Sequence, residues 1–246
     1  MLYLIGLGLG NEKDLTLNAI GTLKKCEYIY LENYTSNIGF EIKDLEKLID
    51  NTVILADRNM IENNSDIILD NSIDSDVAVL IKGDVFGATT HVSLFLSAKG
   101  RKIEVKVMHN SSIITAIGDI GLMLYKFGKI ISIPYHYKGT YTIFENYSIN
   151  KSAKLHTLFL LDLNPKNNEY MNFKEGLNAI EENGNGNINL GTYAIICAGL
   201  GSDNALIKYG KIEDLLKLEI NIYPQCIIIP GELHFMEEEM LKLFKI

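Results

Sequence analysis

The chain has 246 residues, 47% apolar and 22% charged, and its 23 Lys and Arg against 31 Asp and Glu give a formal net charge of −8. This composition excludes wholesale disorder, and the length suits one large domain or two domains of about 120 residues each. Three scattered cysteines exclude a disulfide framework and favour a cytoplasmic protein. The acidic balance argues against nucleic acid as a partner, and no apolar run reaches the ~20 residues of a membrane span.

The first half of the chain alternates between predicted strands and helices. Apolar runs predict strands at 2–5, 28–31, 53–56, 77–81 and 103–108. Helical spacing predicts helices after Asp14, which is the expected N-cap, and over 40–49 and 88–98. The run at 77–81 is apolar throughout, as a parallel strand buried on both faces requires. Residues 1–110 are therefore predicted to form an α/β domain with a mostly parallel sheet.

The second half, 111–246, is predicted to form another α/β domain. Strands are expected at 130–133, 157–163, 193–197 and 226–229. Helices are expected over 112–124 with Gly128 ending the segment, over 172–182 and over 233–244. In the last helix, the residues predicted on the apolar stripe are Met236, Met240, Leu243 and Phe244, and those predicted towards solvent are Glu237, Glu238 and Glu239. The polar segment 182–187 is expected to be a surface loop.

The first predicted strand runs into a glycine-rich turn. Gly6, Gly8 and Gly10 depart from the dinucleotide pattern GxGxxG, because Asn11 occupies its last position. Glycine allows positive φ and lets the backbone approach a ligand closely. One interpretation is a nucleoside-type ligand over the carboxyl ends of the strands; the other is a tight turn without a ligand.

Two further strand ends carry small polar residues. The segment 83–91 is bracketed by glycines and contains Asp84, while Thr89 or Thr90 could cap the next helix. The segment 109–113 follows the next strand. Because the carboxyl ends of parallel strands meet at one edge of a sheet, three such segments favour a binding site over three independent turns.

Familiar catalytic motifs are absent from the sequence. It contains no GxSxG elbow, no P-loop and no HExxH, and its five histidines are interpreted as capping or packing residues. No metal site is predicted. The absence of these motifs favours a reaction in which the enzyme mainly aligns the reactants. Methyl transfer from a sulfonium is such a reaction. We assign no catalytic residue and no general base.

The sequence resembles the diphthine synthases, a branch of the tetrapyrrole-methylase-like methyltransferases, over essentially its whole length. The matching stretches are collinear and lie at 1–10, 24–26, 32–36, 56–58, 87–91, 125–128, 156–158 and 230–234. The segments 86–91 and 109–113 are similar to the eukaryotic branch.

The resemblance implies two α/β domains with S-adenosylmethionine in a cleft between them, S-adenosylhomocysteine as product, and a homodimer. It also implies that the substrate is the modified histidine of elongation factor 2, multiply methylated in diphthamide biosynthesis to diphthine methyl ester. No direct contact with nucleic acid or membrane is expected. By similarity, the donor-binding residues are Leu9, Asp84, Gly87, Ser112, Ile113, Leu161, Leu200 and Gln225.

Three positions depart from the family pattern. Val85 replaces a proline, Gly199 replaces an arginine, and Gln225 replaces a common histidine. Two other functions stay open at this point. One is a methyltransferase for a small tetrapyrrole-like substrate, and the other is a non-catalytic nucleotide-binding module of the same pathway.

Overall fold

The computed structural model of the chain describes residues 1–34, 39–87, 91–136, 141–164, 169–183 and 187–246. It divides into two compact units, Met1–Ala116 and Ile117–Ile246. The predicted domains 1–110 and 111–246 stay a prediction. Among the described residues, no helix combines the length and the apolar character needed to cross a membrane.

The first unit is built on a five-stranded parallel sheet with the order β3-β2-β4-β1-β5. Its strands are β1 Leu2–Gly6, β2 Tyr28–Glu32, β3 Ile54–Ala56, β4 Val77–Ile81 and β5 Val105–Met108. Every residue of β4 is fully buried, as its apolar run predicts, because helices cover both faces of such a sheet. The helices of this unit are α1 Leu17–Leu23, α2 Ile42–Ile49, α3 Asp66–Asp74, α4 Val92–Gly100 and α5 Ile113–Ala116.

The N-cap of α1 differs from the prediction. The hydroxyl oxygen of Thr16, and not the carboxylate of Asp14, accepts the hydrogen bond from the N–H of Ala19 at 3.1 Å. Asp14 ends a short 3₁₀ helix, Glu12–Asp14, and its carboxylate accepts the N–H of Gly10 at 2.7 Å. Asp14 therefore stabilises the glycine turn before it rather than the helix after it.

The second unit is built on a mixed sheet with the order β11-β10-β12-β7-β6, in which only β6 and β7 pair in parallel. Its strands are β6 Ile131–Ile133, β7 Thr157–Leu161, β10 Tyr193–Ala198, β11 Leu206–Lys211 and β12 Gln225–Ile229, with the separate pair β8 Leu163–Asn164 and β9 Glu169–Tyr170. Its helices are α6 Tyr141–Ser152, α7 Phe173–Asn183, α8 Ile212–Leu215 and α9 Phe235–Lys242. Strand β11 was not predicted, and residues 184–186 of the predicted surface loop lie outside the described part of the chain.

The single helix predicted over 112–124 is wrong. The segment contains α5, then a 3₁₀ helix at Ile117–Ile120, and a further 3₁₀ helix follows at Leu124–Lys126. Gly121 has a φ of +84°, which a continuing helix does not allow, and a Cβ on it would overlap the Met240 side chain. The helix is interrupted here because tertiary packing against α9 needs the backbone close.

The predicted orientation of the last helix is wrong at three residues, while Glu238 and Glu239 are exposed as predicted. Glu237 is buried with a relative exposure of 1%, whereas Met236 is 57% and Leu243 is 74% exposed. The helical periodicity of the apolar residues predicts this carboxylate on the solvent face. The fold buries it because polar partners, described below, surround it.

Candidate functional site

The carboxyl ends of β1 and β4 meet directly. The N–H of Gly8 donates to the carbonyl of Gly83 at 3.1 Å, and the N–H of Gly83 donates to the carbonyl of Gly8 at 2.9 Å. The half-buried Leu9 follows this bridge, and Asp84 follows it on the other strand. Two of the predicted donor residues are therefore fixed by one pair of backbone hydrogen bonds.

The close backbone approaches at the glycine turn are internal. A Cβ on Gly6 would lie 2.7 Å from the carbonyl oxygen of Gly83, and one on Gly8 would lie 2.7 Å from the Cβ of Asp14. Gly8 also has a φ of +80°, a conformation that side chains with a Cβ rarely adopt. These contacts explain both glycines without a ligand, so the case for a ligand at this edge depends on the other groups gathered there.

Asp84 connects the ends of β4 and β5. Its carboxylate accepts the N–H of Phe86 at 3.1 Å and the N–H of Asn110 at 3.0 Å, and it lies 2.9 Å from Nδ1 of His109. Burial by itself would raise the pKa of Asp84, but these hydrogen bonds and His109 outweigh it and hold that pKa below its usual value. The edge of the sheet thus carries an ionised carboxylate whose side chain is 15% exposed.

Two polar side chains that the sequence interpretation did not single out complete this edge. The amide nitrogen of Asn110 donates to the carbonyls of Gly6 and Asp14, both at 3.0 Å. The ammonium of Lys82 donates to the carbonyl of Gly10 at 3.0 Å. Burial lowers the pKa of Lys82 to about 8, although the nearby Asp14 opposes the shift. Both side chains hold the turn that carries Leu9.

The predicted donor residues Gly87, Ser112 and Ile113 lie beside Asp84. A Cβ on Gly87 would lie 2.7 Å from the Cβ of Ser112 and 3.4 Å from the Cβ of Asp84, so this position requires glycine. Ser112 is buried and Ile113 is half-buried. Val85, which replaces a proline, is fully buried in the hydrophobic core, and that packing holds the turn in place of a proline ring.

The three predicted donor residues of the second unit converge at one edge of its sheet. Leu161 ends β7, Gln225 begins the antiparallel neighbour β12, and Leu200 follows the end of β10, where Ala198 pairs with Gln225. Leu161 and Leu200 are both 7% exposed. Strand directions therefore bring together three residues that span 64 positions of the sequence.

The Gln225 side chain is occupied by its own unit. Its oxygen accepts the N–H of Phe173 at 2.7 Å, and its nitrogen donates to the carbonyls of Ile220 at 3.0 Å and Ile222 at 2.9 Å. Gly199 has a φ of +60°, and a Cβ there would lie 2.7 Å from the Ile222 side chain. Both departures from the family pattern thus have a structural role in shaping this edge.

Glu237 is the centre of a buried polar cluster in the second unit. Its carboxylate accepts the N–H of Met123 at 2.9 Å and that of His234 at 2.7 Å, and it lies 3.1 Å from Nε2 of His156 and 2.5 Å from Nζ of Lys126. Burial alone would raise the pKa of Glu237, but these donors lower it to about 2. His234 caps α9, as its predicted capping role implies.

A second buried acid and imidazole pair lies in the first unit. Nε2 of His91 is 3.0 Å from Oε2 of Glu32, and both side chains are at most 1% exposed. Glu32 ends β2 and His91 precedes α4, so the pair joins two segments that follow neighbouring strands. Thr89 and Thr90, the predicted caps of that helix, lie outside the described residues.

Comparison with known proteins decides the family. Residues 1–216 match the family model described as Tetrapyrrole (Corrin/Porphyrin) Methylases. The chain belongs to this family. As a tetrapyrrole methylase family member it is a methyltransferase, and its two sheets with helices confirm the predicted α/β fold class.

Within the tetrapyrrole methylase family the chain is similar to diphthine synthases over its full length. It is 37% identical to the diphthine methyl ester synthase of Schizosaccharomyces pombe, with 100% of this chain and 95% of that protein covered. It is 39% identical to the diphthine synthase of Methanocaldococcus jannaschii, with 98% of each covered. A crystal structure of a diphthine synthase superposes with a TM-score of 0.90 at 29% identity, covering 100% of this chain and 96% of that one. The predicted resemblance is confirmed.

Proposed function

We propose that this protein transfers methyl groups from S-adenosylmethionine to the modified histidine of elongation factor 2 in diphthamide biosynthesis, giving diphthine methyl ester. The full-length similarity to diphthine synthases supports this function above the others, because the matches cover 98–100% of this chain and therefore both units. A tetrapyrrole-like small substrate has no comparable support among these relatives.

The residues of the first unit fit such a donor. Asp84 is held ionised and part exposed, so it can accept hydrogen bonds from hydroxyl or amino groups. Leu9 and Ile113 are half-buried and offer apolar surface to a ring. When bound, the donor supplies an activated methyl group on a sulfonium sulfur. We propose Leu9, Asp84, Gly87, Ser112 and Ile113 as its contacts in this unit.

The edge of the second unit supplies the remaining proposed contacts, Leu161, Leu200 and Gln225. Because the Gln225 amide and the buried Leu161 side chain are committed to their own unit, these residues would meet a ligand chiefly through backbone groups. We further propose, from the family resemblance, a cytoplasmic location and a homodimer. Sedimentation at micromolar protein concentration would test the homodimer.

A transfer assay tests the function directly. The protein is incubated with donor labelled in its methyl group and with elongation factor 2 that carries the unmethylated diphthamide intermediate. We expect label on the factor, and mass spectrometry of the modified histidine to count four added methyl groups. A count of three methyl groups would show that the product is diphthine and not its methyl ester. Donor binding without any transfer would favour the binding-module alternative.

The proposed role of Asp84 predicts a large loss of donor affinity in Asp84→Ala. The substitution removes the only carboxylate named in the proposed donor site, so we expect the Kd of S-adenosylhomocysteine to rise about 10- to 100-fold in calorimetry. The free energy of unfolding should fall by only about 1–2 kcal/mol, because two backbone N–H groups lose their acceptor.

A matched control separates this effect from the loss of one negative charge. Asp74 is exposed at the end of α3, and Asp74→Ala removes the same charge away from the proposed donor residues. This variant should bind as tightly as the wild-type protein. An unchanged Kd in Asp84→Ala would remove Asp84 from the donor site.

A further inference from the structure

His109 lies at the edge of the sheet that carries the proposed donor residues. It directly follows β5, and its ring is 68% exposed, whereas the Asp84 carboxylate bonded to it is 15% exposed. Nδ1 of His109 lies 2.9 Å from Oδ2 of Asp84. The Phe86 ring and the imidazole pack in a T-shaped arrangement, with 6.4 Å between ring centres and an interplanar angle of 61°. The ring is therefore exposed, yet fixed in orientation.

The hydrogen bonds of Asp84 decide which ring nitrogen carries the proton. The carboxylate already accepts the N–H groups of Phe86 and Asn110, which keep it ionised, and an ionised carboxylate can only accept. Nδ1 of the neutral His109 ring must therefore be the donor, and Nε2 keeps its lone pair. Within the described part of the chain, Nε2 has no hydrogen-bond partner in its own unit.

An imidazole that donates Nδ1–H to a fixed carboxylate and exposes Nε2 is arranged as a proton acceptor. We propose that Nε2 of His109 accepts the proton that the acceptor amino group loses when it is methylated. This role rests on the proposed function. Each round breaks one N–H bond of the protonated amine, and the freed electron pair forms the N–C bond. The C–S bond of the donor breaks at the same time, and its electron pair stays on the sulfur. The proton passes from the nitrogen to Nε2, and the imidazolium then returns it to water.

Loss of the His109 base should affect methyl transfer to the amino group and methyl transfer to the carboxylate differently. Methylation of the amino group releases a proton at every round, whereas methylation of a carboxylate releases none. His109→Asn should therefore slow the amine transfers about 100-fold at pH 7, since general bases contribute about 10² to 10⁴ to such rates. The ester transfer, measured on factor that carries a trimethylated amine, should stay within about twofold of the wild-type rate.

The pH profile adds a readout that a purely structural role would not change. In the wild-type protein the amine transfer should depend only weakly on the hydroxide concentration at alkaline pH, because Nε2 of His109 takes the proton. In His109→Asn the rate should rise steadily up to pH 9.5, because hydroxide then removes the proton. The rate difference between this variant and the wild-type protein should therefore shrink at least tenfold. Donor affinity in calorimetry should change by less than about threefold, because the N–H groups of Phe86 and Asn110 still hold the Asp84 carboxylate. His136→Asn, which removes an exposed histidine of the second unit, serves as the control and should follow the wild-type profile.

The proton assignment can be tested without turnover. Nitrogen-15 NMR of the histidine rings at pH 8, with the His109 signals assigned by their loss in His109→Asn, should show a protonated Nδ1 and an unprotonated Nε2. Protonation at Nε2, or amine transfers by His109→Asn at the wild-type rate and with the wild-type pH profile, would overturn the proposal. Absence of label transfer by the wild-type protein would instead overturn the proposed function, and the role of His109 with it.

Discussion

We expect Glu237→Ala to lower the free energy of unfolding by about 3–5 kcal/mol, because it leaves buried polar groups without their partner. The carboxylate is 1% exposed and receives hydrogen bonds from two backbone N–H groups, and it neutralises Lys126. Removing it leaves these donors, and Nε2 of His156, without a hydrogen-bond acceptor in the interior of the second unit. Urea denaturation monitored by circular dichroism measures the loss.

Glu238→Ala is the matched control for this prediction. Glu238 is the next residue on α9, is exposed, and carries the same charge. Its replacement should change the free energy of unfolding by less than about 0.5 kcal/mol. Equal effects of the two substitutions would show that the buried cluster contributes nothing beyond helix propensity.

The same cluster predicts loss of stability in acid. The pKa of Glu237 is lowered to about 2 in the fold, so its contribution is complete above the pKa of an unfolded glutamate and is lost as the pH falls towards 2. Burial also lowers the pKa of His156 despite the attraction of Glu237, so its protonation in acid favours the unfolded chain. The free energy of unfolding of the wild-type protein should therefore fall between about pH 6.5 and pH 2. The difference in the free energy of unfolding between the wild-type protein and Glu237→Ala should become smaller over the lower part of that range, because protonation removes the contribution of Glu237.

The first unit was predictable from sequence because its signals are local. The all-apolar run of β4 and the regular alternation of strands with helices indicate a parallel sheet, and the five strands form one. The directions of parallel strands then bring the ends of β1, β4 and β5 together without further information.

The second unit was less predictable because distant residues decide its local structure. The break at Gly121 depends on Met240, 119 positions away. The burial of Glu237 depends on Lys126 and His156, and helical periodicity contains no information about either partner. A histidine N-cap three residues before a glutamate is the only local signal, since capping boxes usually begin with Ser or Thr.

The convergence of the three strand ends was predictable, whereas the contacts among them were not. Glycines and small polar residues predicted that these segments meet at one edge of the sheet, and they do, but their spacing could not reveal which contacts require them. Asn110 and Lys82 each hold a carbonyl of the turn more than 70 positions away, and the pairing of His109 with Asp84 spans 25. Such contacts depend on the packing of strand ends, which no local pattern encodes.

Gly6→Ala tests whether that packing also controls donor binding. The added Cβ would lie 2.7 Å from the carbonyl oxygen of Gly83 and 3.2 Å from the backbone nitrogen of Asn110. Backbone atoms cannot rotate away as a side chain can, so the ends of β1, β4 and β5 must separate. We expect a loss of about 2–3 kcal/mol in the free energy of unfolding, measured in urea, and at least a tenfold rise in the Kd of S-adenosylhomocysteine.

Gly21→Ala is the control for Gly6→Ala, because it adds the same methyl group where there is room for it. Gly21 lies in α1, is exposed, and a Cβ there would have no atom within 4 Å. Helix propensity alone should therefore raise the free energy of unfolding by about 0.5–1 kcal/mol and leave the Kd unchanged. If Gly6→Ala were as stable as the wild-type protein and bound the ligand as tightly, the close approach of the three strand ends would not shape the donor site. If it lost stability but kept its affinity, the glycine would serve the fold alone, and the proposed contacts of Leu9 and Asp84 would have to tolerate a shift of their strands.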